Sequence, residues 1–147
     1  MKKLFVVILA TLFLANPAFA GGTADEAKSL VDKAAAYVKT NGKDKAFAEF
    51  TNQKGQFVDR DLYIFAVDFK GLTLAHGGNA KLAGRDMFGL KDADDKLFIQ
   101  NFIEVAKTKG SGWVDYKWAN PVTKKIEKKS TYVFKVDDYF LGCGIYK

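Results

Sequence analysis

The sequence is short of the residues that support redox, metal and nucleophilic chemistry. Its 147 residues include one histidine (His76), one cysteine (Cys143), two prolines and two methionines. A lone cysteine cannot build a disulfide framework. With a lone histidine it cannot complete a zinc site or a Cys-x-x-Cys-His haem attachment. Gly-x-Ser-x-Gly, His-Glu-x-x-His and a Gly-rich loop ending in Lys-Ser/Thr do not occur. Any Ser–His or Cys–His mechanism would have to run through His76. Cys143 lies in the apolar run 141–145 (LGCGI), where a buried, inert thiol is the default. Asp92, Asp94 and Asp95 resemble a calcium loop only loosely. The EF-hand's glycine and glutamate positions hold Leu97 and Ile103. These absences point to a non-catalytic chain with no metal and no cofactor.

Long apolar runs are also scarce. The only extended one is at the start, where Lys2 and Lys3 precede Leu4 to Leu14 and Ala18-Phe19-Ala20 offers a small-x-small cleavage site before Gly21. That run is shorter than the roughly 20 residues a bilayer span needs. Residues 1–20 are therefore expected to be a signal peptide, with 21–147 as one domain, periplasmic or secreted after cleavage near Ala20-Gly21. Without Lys2 and Lys3 the remainder carries 21 basic and 17 acidic residues, a formal +4. The lysines are scattered rather than concentrated on one face, so nucleic acid is not an expected partner.

Thr23 and Glu26 have capping-box spacing, and Ala27, Leu30, Val31, Ala34 and Val38 recur with a helical period. A second helix is expected from Asp44 to about Asn52, with Phe47 and Phe50 facing inward. Residues 62–69 read as a strand buried on both faces, followed by a Lys70-Gly71 turn and a partner strand over 72–75. Asp94 or Asp95 can cap a third helix carrying Phe98, Phe102, Val105 and Ala106. Three aromatic-rich strands follow, at about 112–118, 128–137 and 139–146, with Asp137-Asp138 as the last turn. Helices segregated from a continuous antiparallel sheet make an α+β fold.

Tyr63, Phe65, Trp113, Tyr116, Trp118 and Tyr132 supply more polar-tipped aromatic surface than a dry core of this size needs. His76, Arg85 and Lys129 are the cations nearest these runs. Phe65, Trp118 and Arg85 read individually as core or surface. Tyr63, His76, Trp113, Tyr116, Lys129 and Tyr132 are the candidate ligand-binding residues, with a small organic carboxylate as the favoured ligand. A ligand-free module that docks on a membrane receptor or enzyme is the alternative.

Residues 61–68 (DLYIFAVD), 71–76 (GLTLAH) and 79–84 (NAKLAG) resemble the first half of the type 2 single Cache domain. The second half is similar at 98–99 (FI), 106–110 (AKTKG), 112–118 (GWVDYKW), 120–123 (NPVT), 129–132 (KSTY) and 142–146 (GCGIY). The resemblance implies a PAS-like five-stranded antiparallel sheet with a long N-terminal helix packed across it. It also implies an extracytoplasmic sensor pocket for small organic molecules, often short carboxylates. Relatives of that kind sit in chemoreceptors or histidine kinases, so a membrane chemoreceptor or histidine kinase is the expected partner. The sequence shows neither a second membrane span nor a signalling output domain. Gly77-Gly78 after His76 also departs from the family's usual Pro- or Asn-containing loop.

Overall fold

The computed structural model describes residues 20–147, so the expected signal segment lies, but for its last residue, outside the described residues. Helix α1 (Ala24–Asn41) starts where the capping-box spacing puts it. The Thr23 hydroxyl accepts the Glu26 amide at 3.3 Å, and the Glu26 carboxylate accepts the Thr23 amide at 2.8 Å. Ala27, Val31, Ala34 and Val38 form its buried stripe. Helix α2 (Lys43–Thr51) follows after Gly42 and buries Ala46 and Phe50, with Phe47 half-buried beside them.

The single strand expected over 62–69 is two strands with different partners. Strand β2 (Leu62–Tyr63) pairs with β1 (Val58–Asp59) in a small hairpin, while β3 (Phe65–Asp68) enters the main sheet. Ile64 is the switch point: its amide donates to Phe57 O and its carbonyl accepts from Gly77 N. Backbone satisfaction is kept while the pairing changes. Both faces of the segment are buried, as the uniformly apolar sequence requires.

Strand β4 (Thr73–His76), α3 (Phe98–Lys109), β5 (Ser111–Ala119), β6 (Ile126–Val136) and β7 (Tyr139–Tyr146) complete the fold. The main sheet is antiparallel throughout, in the order β4-β3-β7-β6-β5. Helix α1 packs across β7 and β6 on one face, and α3 packs on β5 and β6. Alternate residues of each strand feed two cores. Leu62, Ile64, Ala66, Leu141 and Cys143 face α1 and α2, while Tyr63, Phe65, Val67, Val133 and Phe140 belong with α3. No described helix is long and apolar enough to cross a membrane.

The expected aspartate cap of α3 is not formed. Its N-cap is Leu97, with no side-chain capping bond. Asp92 instead gathers the amides of Asp94, Lys96 and Lys117, each at 2.9 Å, and Lys96 Nζ donates to Asp115 O at 2.6 Å. The acidic run thus occupies the free edge of β5, a position that would otherwise expose unpaired backbone groups.

Phe102 is 1 % exposed and packs on Phe65, Phe98, Tyr116 and Phe140. Phe102→Ala is expected to cost about 3–5 kcal/mol of stability in urea unfolding. A loss below about 1 kcal/mol would contradict the packing described for this layer.

Candidate ligand-binding site

Lys129 lies in the middle of β6, opposite Tyr116 of β5 and Tyr146 of β7. Its side chain crosses β7 over Gly144. A Cβ at Gly144 would come within 2.3 Å of both Lys129 Cε and Thr131 Oγ1, so only glycine leaves room for the lysine to lie flat. Nζ then reaches Tyr63 Oη at 2.7 Å, 4.1 Å from the Tyr63 ring centroid and 4.8 Å from that of Tyr146. Tyr63 Oη lies 3.5 Å from Tyr146 Oη, which donates to Ala119 O at 2.8 Å. A hydrogen-bonded chain thus runs from the buried ammonium to the end of β5.

Among the described residues, no carboxylate lies within ion-pair distance of Lys129, which is 1 % exposed. Burial disfavours the charged form, and nearby Cys143 and Asp61 only partly oppose it, so the ammonium's pKa falls to about 7. Burial also keeps the phenols of Tyr63 and Tyr116 neutral, far above their ordinary range.

His76 closes β4 opposite Phe65 and stacks on that ring at 5.8 Å, with Tyr63 at 5.1 Å and Trp118 at 6.5 Å. Its Nδ1 accepts the Asn79 amide at 3.0 Å, which places the neutral ring's proton on Nε2. Burial first, then the Lys129 charge, lowers its pKa to about 3. The expectation that His76 serves as a second cation is therefore corrected: it is a neutral N–H donor. Arg85, the third candidate cation, is exposed, and its backbone is engaged, the carbonyl accepting from Thr73 N and the amide donating to Leu82 O.

A cleft of about 360 Å³ opens beside Tyr63 and His76, walled also by Gln53, Asn79, Trp118, Asn120 and Lys124, while Lys129 and Tyr116 lie behind its wall. Beneath it a much smaller space of about 10 Å³ lies between the sheet and α3, lined by Phe65, Met87, Phe98, Phe102 and Tyr116, and again by His76 and Trp118. Aromatic rings nearly fill the space under α3. The open volume lies one layer outward, with His76 and Trp118 as the shared wall. The Gly77-Gly78 departure has a local cause here. Gly78 lies flat on the Tyr63 ring, where a Cβ would fall within 2.6 Å of Tyr63 Cζ.

Tyr63, His76, Tyr116 and Lys129 therefore share one face of the sheet. Trp113 and Tyr132 do not. They pair across β5 and β6 at 5.4 Å on the opposite face, where Tyr132 packs against the α1 layer and Trp113 is 38 % exposed. The period-two alternation dictates this, since Trp113 is three residues from Tyr116 and Tyr132 three from Lys129. Trp118, read from sequence as core, shares the Tyr116 parity and walls the cleft; counting by twos from Tyr116 would have found it. Asn79, Asn120 and Tyr146 come from turns and a strand end that carry no such signal. Cys143 points into the α1 layer with its thiol pushed up to about 12 by burial. A depression of about 200 Å³ at the outer edge of β5 is bridged by its own ion pairs, Lys117–Asp94 and Lys147–Asp115.

The family model for single Cache domain 2 matches residues 15–147. The chain belongs to the single Cache domain 2 family. Among curated proteins it is similar to the methyl-accepting chemotaxis protein McpP of Pseudomonas putida, 27% identical over 90 residues, which cover 60% of this chain and 16% of that protein. It is also similar to the sensor histidine kinase MctS of Rhizobium johnstonii, 32% identical over 89 residues, covering 59% and 19%. The chain thus spans under a fifth of the length of these relatives. Among solved structures it resembles a methyl-accepting chemotaxis protein of Vibrio parahaemolyticus, with TM-score 0.71, 25% identity and coverage of 83% and 86%. A periplasmic sensor domain of a chemotaxis protein matches with TM-score 0.66, 25% identity and coverage of 83% and 88%. A Cache chemosensory domain described for carboxylic acid recognition matches with TM-score 0.66, 24% identity and coverage of 81% and 84%, a likeness of fold. The PAS-like sheet and long N-terminal helix implied by the Cache resemblance are those of the structure. Cache domains are ligand-binding signalling modules, and the relatives found here are chemotaxis and histidine-kinase sensors.

Lys129 supplies a pH test. In the unfolded chain a lysine titrates near 10.4, and in the fold this one titrates at about 7. Between those values the unfolded state binds more protons, so this group's contribution makes stability rise with pH. The penalty is full below pH 7 and gone above about 10.4. Lys129→Met is therefore expected to gain stability relative to wild type at pH 6, with the gain shrinking steadily toward pH 10 in denaturant titrations. A pH-independent difference would show that the ammonium is not desolvated.

Proposed function

We propose that this Cache domain is a non-catalytic, exported periplasmic sensor domain that binds a short organic carboxylate in partnership with a membrane chemoreceptor or histidine kinase. The observation that carries this reading is the buried ammonium of Lys129, which among the described residues has no carboxylate within ion-pair distance. A desolvated charge needs a partner, and two phenol faces supply only part of one. A carboxylate entering past Trp118 would accept from His76 Nε2–H and from a free proton of Lys129 Nζ, the Tyr63 proton being given to Tyr146 Oη. Tyr116 lies across from Lys129 and holds Thr131 Oγ1 at 3.1 Å, which stiffens the back of the site. The cleft volume is at the low end of ligand pockets, which favours small ligands. At a ceiling of roughly 1.5 kcal/mol per heavy atom, a ligand of about six atoms binds no tighter than about 0.2 μM.

The test is a thermal-shift and calorimetric series of straight-chain monocarboxylates from one to six carbons, with the matching amides as uncharged controls. Acids, and not amides, are expected to stabilise the protein, by about 2.7 kcal/mol at a hundredfold excess over Kd. Binding should restore the charge on Lys129, so affinity should weaken about fivefold from pH 7 to pH 8. Lys129→Met should lose the response while remaining folded. If no acid of the series moves the melting point, the carboxylate reading fails; if amides match acids, Lys129 is not the anchor.

A further inference from the structure

Asp61 is a buried carboxylate in the turn between β1 and β2, 2 % exposed, and among the described residues it has no ion-pair partner. Its Oδ1 accepts the Gly22 amide at 2.8 Å. Its Oδ2 lies against the Cα of Gly21, so that a substituent at the side-chain position of that glycine would sit 2.7 Å from Oδ2. Gly21 has no side chain to place there. If the chain began at Gly21, its terminal nitrogen would no longer be tied to residue 20. A rotation of about 120° about the Cα–C bond, a soft backbone dihedral, would then carry that nitrogen into the vacant position. The resulting separation matches a charge-assisted N–H···O bond to a carboxylate.

We propose that Asp61 is a docking site for the α-ammonium of a chain cleaved between Ala20 and Gly21, so that proteolytic processing completes a buried ion pair that locks the start of α1 to the β1–β2 turn. The surroundings are built to hold the segment in place. Arg60 Nη1 reaches Gly21 O at 3.4 Å, while its Nη2 bonds Glu26 at 2.7 Å and Asp59 at 3.0 Å. Arg60 itself has φ 58, a left-handed conformation that aims its side chain back over the N-terminal segment. Gly22 is equally constrained, since a Cβ there would lie 2.3 Å from Leu62 Cγ. A carboxylate that takes both the terminal ammonium and the next amide has the form of an N-terminal amine capture site.

The charged and titratable groups around this position are Arg60, Asp59 and Glu26 on the surface side, and Lys129, Cys143 and Tyr146 on the inner side, which sense Asp61 through the protein. A free α-amino group titrates near 7.7–8.0. Pairing with Asp61 raises that value in the fold. The added stability is therefore full below pH 7.7 and lost as pH climbs through the raised value.

The inference rests on the cleavage reading and not on the ligand. Two chains are compared, each released from a fusion without extra residues, one beginning at Gly21 and the other at Ala20. The Gly21 chain is expected to melt about 3–5 °C higher at pH 6.5, with the gap closing by about pH 10 as the amine deprotonates. Its α-amine should resist acylation in the folded state and react normally after unfolding. Asp61→Asn should remove both effects, and N-acetylation of the Gly21 chain should reproduce the Ala20 melting point. Equal melting points, or a gap that persists at pH 10, would overturn the clasp. If Asp61→Asn fails to fold, the acetylation and acylation results decide alone. The mass of the full-length chain after export tests the cleavage position separately, and a retained leader there would leave the docking chemistry measured on the released chains intact.

Discussion

An ammonium group without a counter-anion, held in the middle of a five-stranded sheet, constrains everything around it. Lys129 can lie across β7 only because Gly144 has no side chain, and its direct contacts there are the Tyr63 hydroxyl and two ring faces. Its charge and the low-polarity surroundings then set the state of its neighbours. His76 stays neutral and the phenols keep their protons. A site assembled this way has a buried ammonium behind it, Lys124 on its wall and otherwise apolar or neutral groups, a combination suited to a small anion with a short hydrocarbon tail.

The sheet divides the domain into two layers with different duties. On the α1 and α2 side, the stripe Ala27, Val31, Ala34 and Val38 meets Leu141 and Cys143 in a closed core. On the α3 side, stacked rings nearly close the interior, and His76 and Trp118 form the wall between that interior and the outer cleft. The chain of hydroxyls from Lys129 through Tyr63 and Tyr146 to Ala119 O ties the charged centre to the last strand and to the mouth of the cleft.

Much of this was legible in the residues. The capping box, the α1 stripe, the Asp137-Asp138 turn and the last three strands follow from local chemistry that the tertiary structure leaves undisturbed. The Cache resemblance extended that reading to the whole sheet. Where the structure differs, either a long-range partner replaces a local one or strand parity separates residues that are near in sequence. Asp94 and Asp95 were read as helix caps because they precede an apolar stripe, yet Asp92 holds the edge of β5, a contact between residues 25 apart. Trp113 and Tyr132 were grouped with Tyr116 and Lys129 because aromatics cluster in those strands, but strand parity sends them to the other face.

Local pattern determined where the helices and the last three strands lie, and the buried stripe of α1. Those properties depend on neighbours within a few residues, and the chain carries them wherever it goes. Tertiary structure alone decided that Lys129 is buried, that His76 is uncharged, and that Asp61 lies beside Gly21. Each of those depends on how much water a group loses and which distant charge it meets, and both quantities exist only once the sheet has closed.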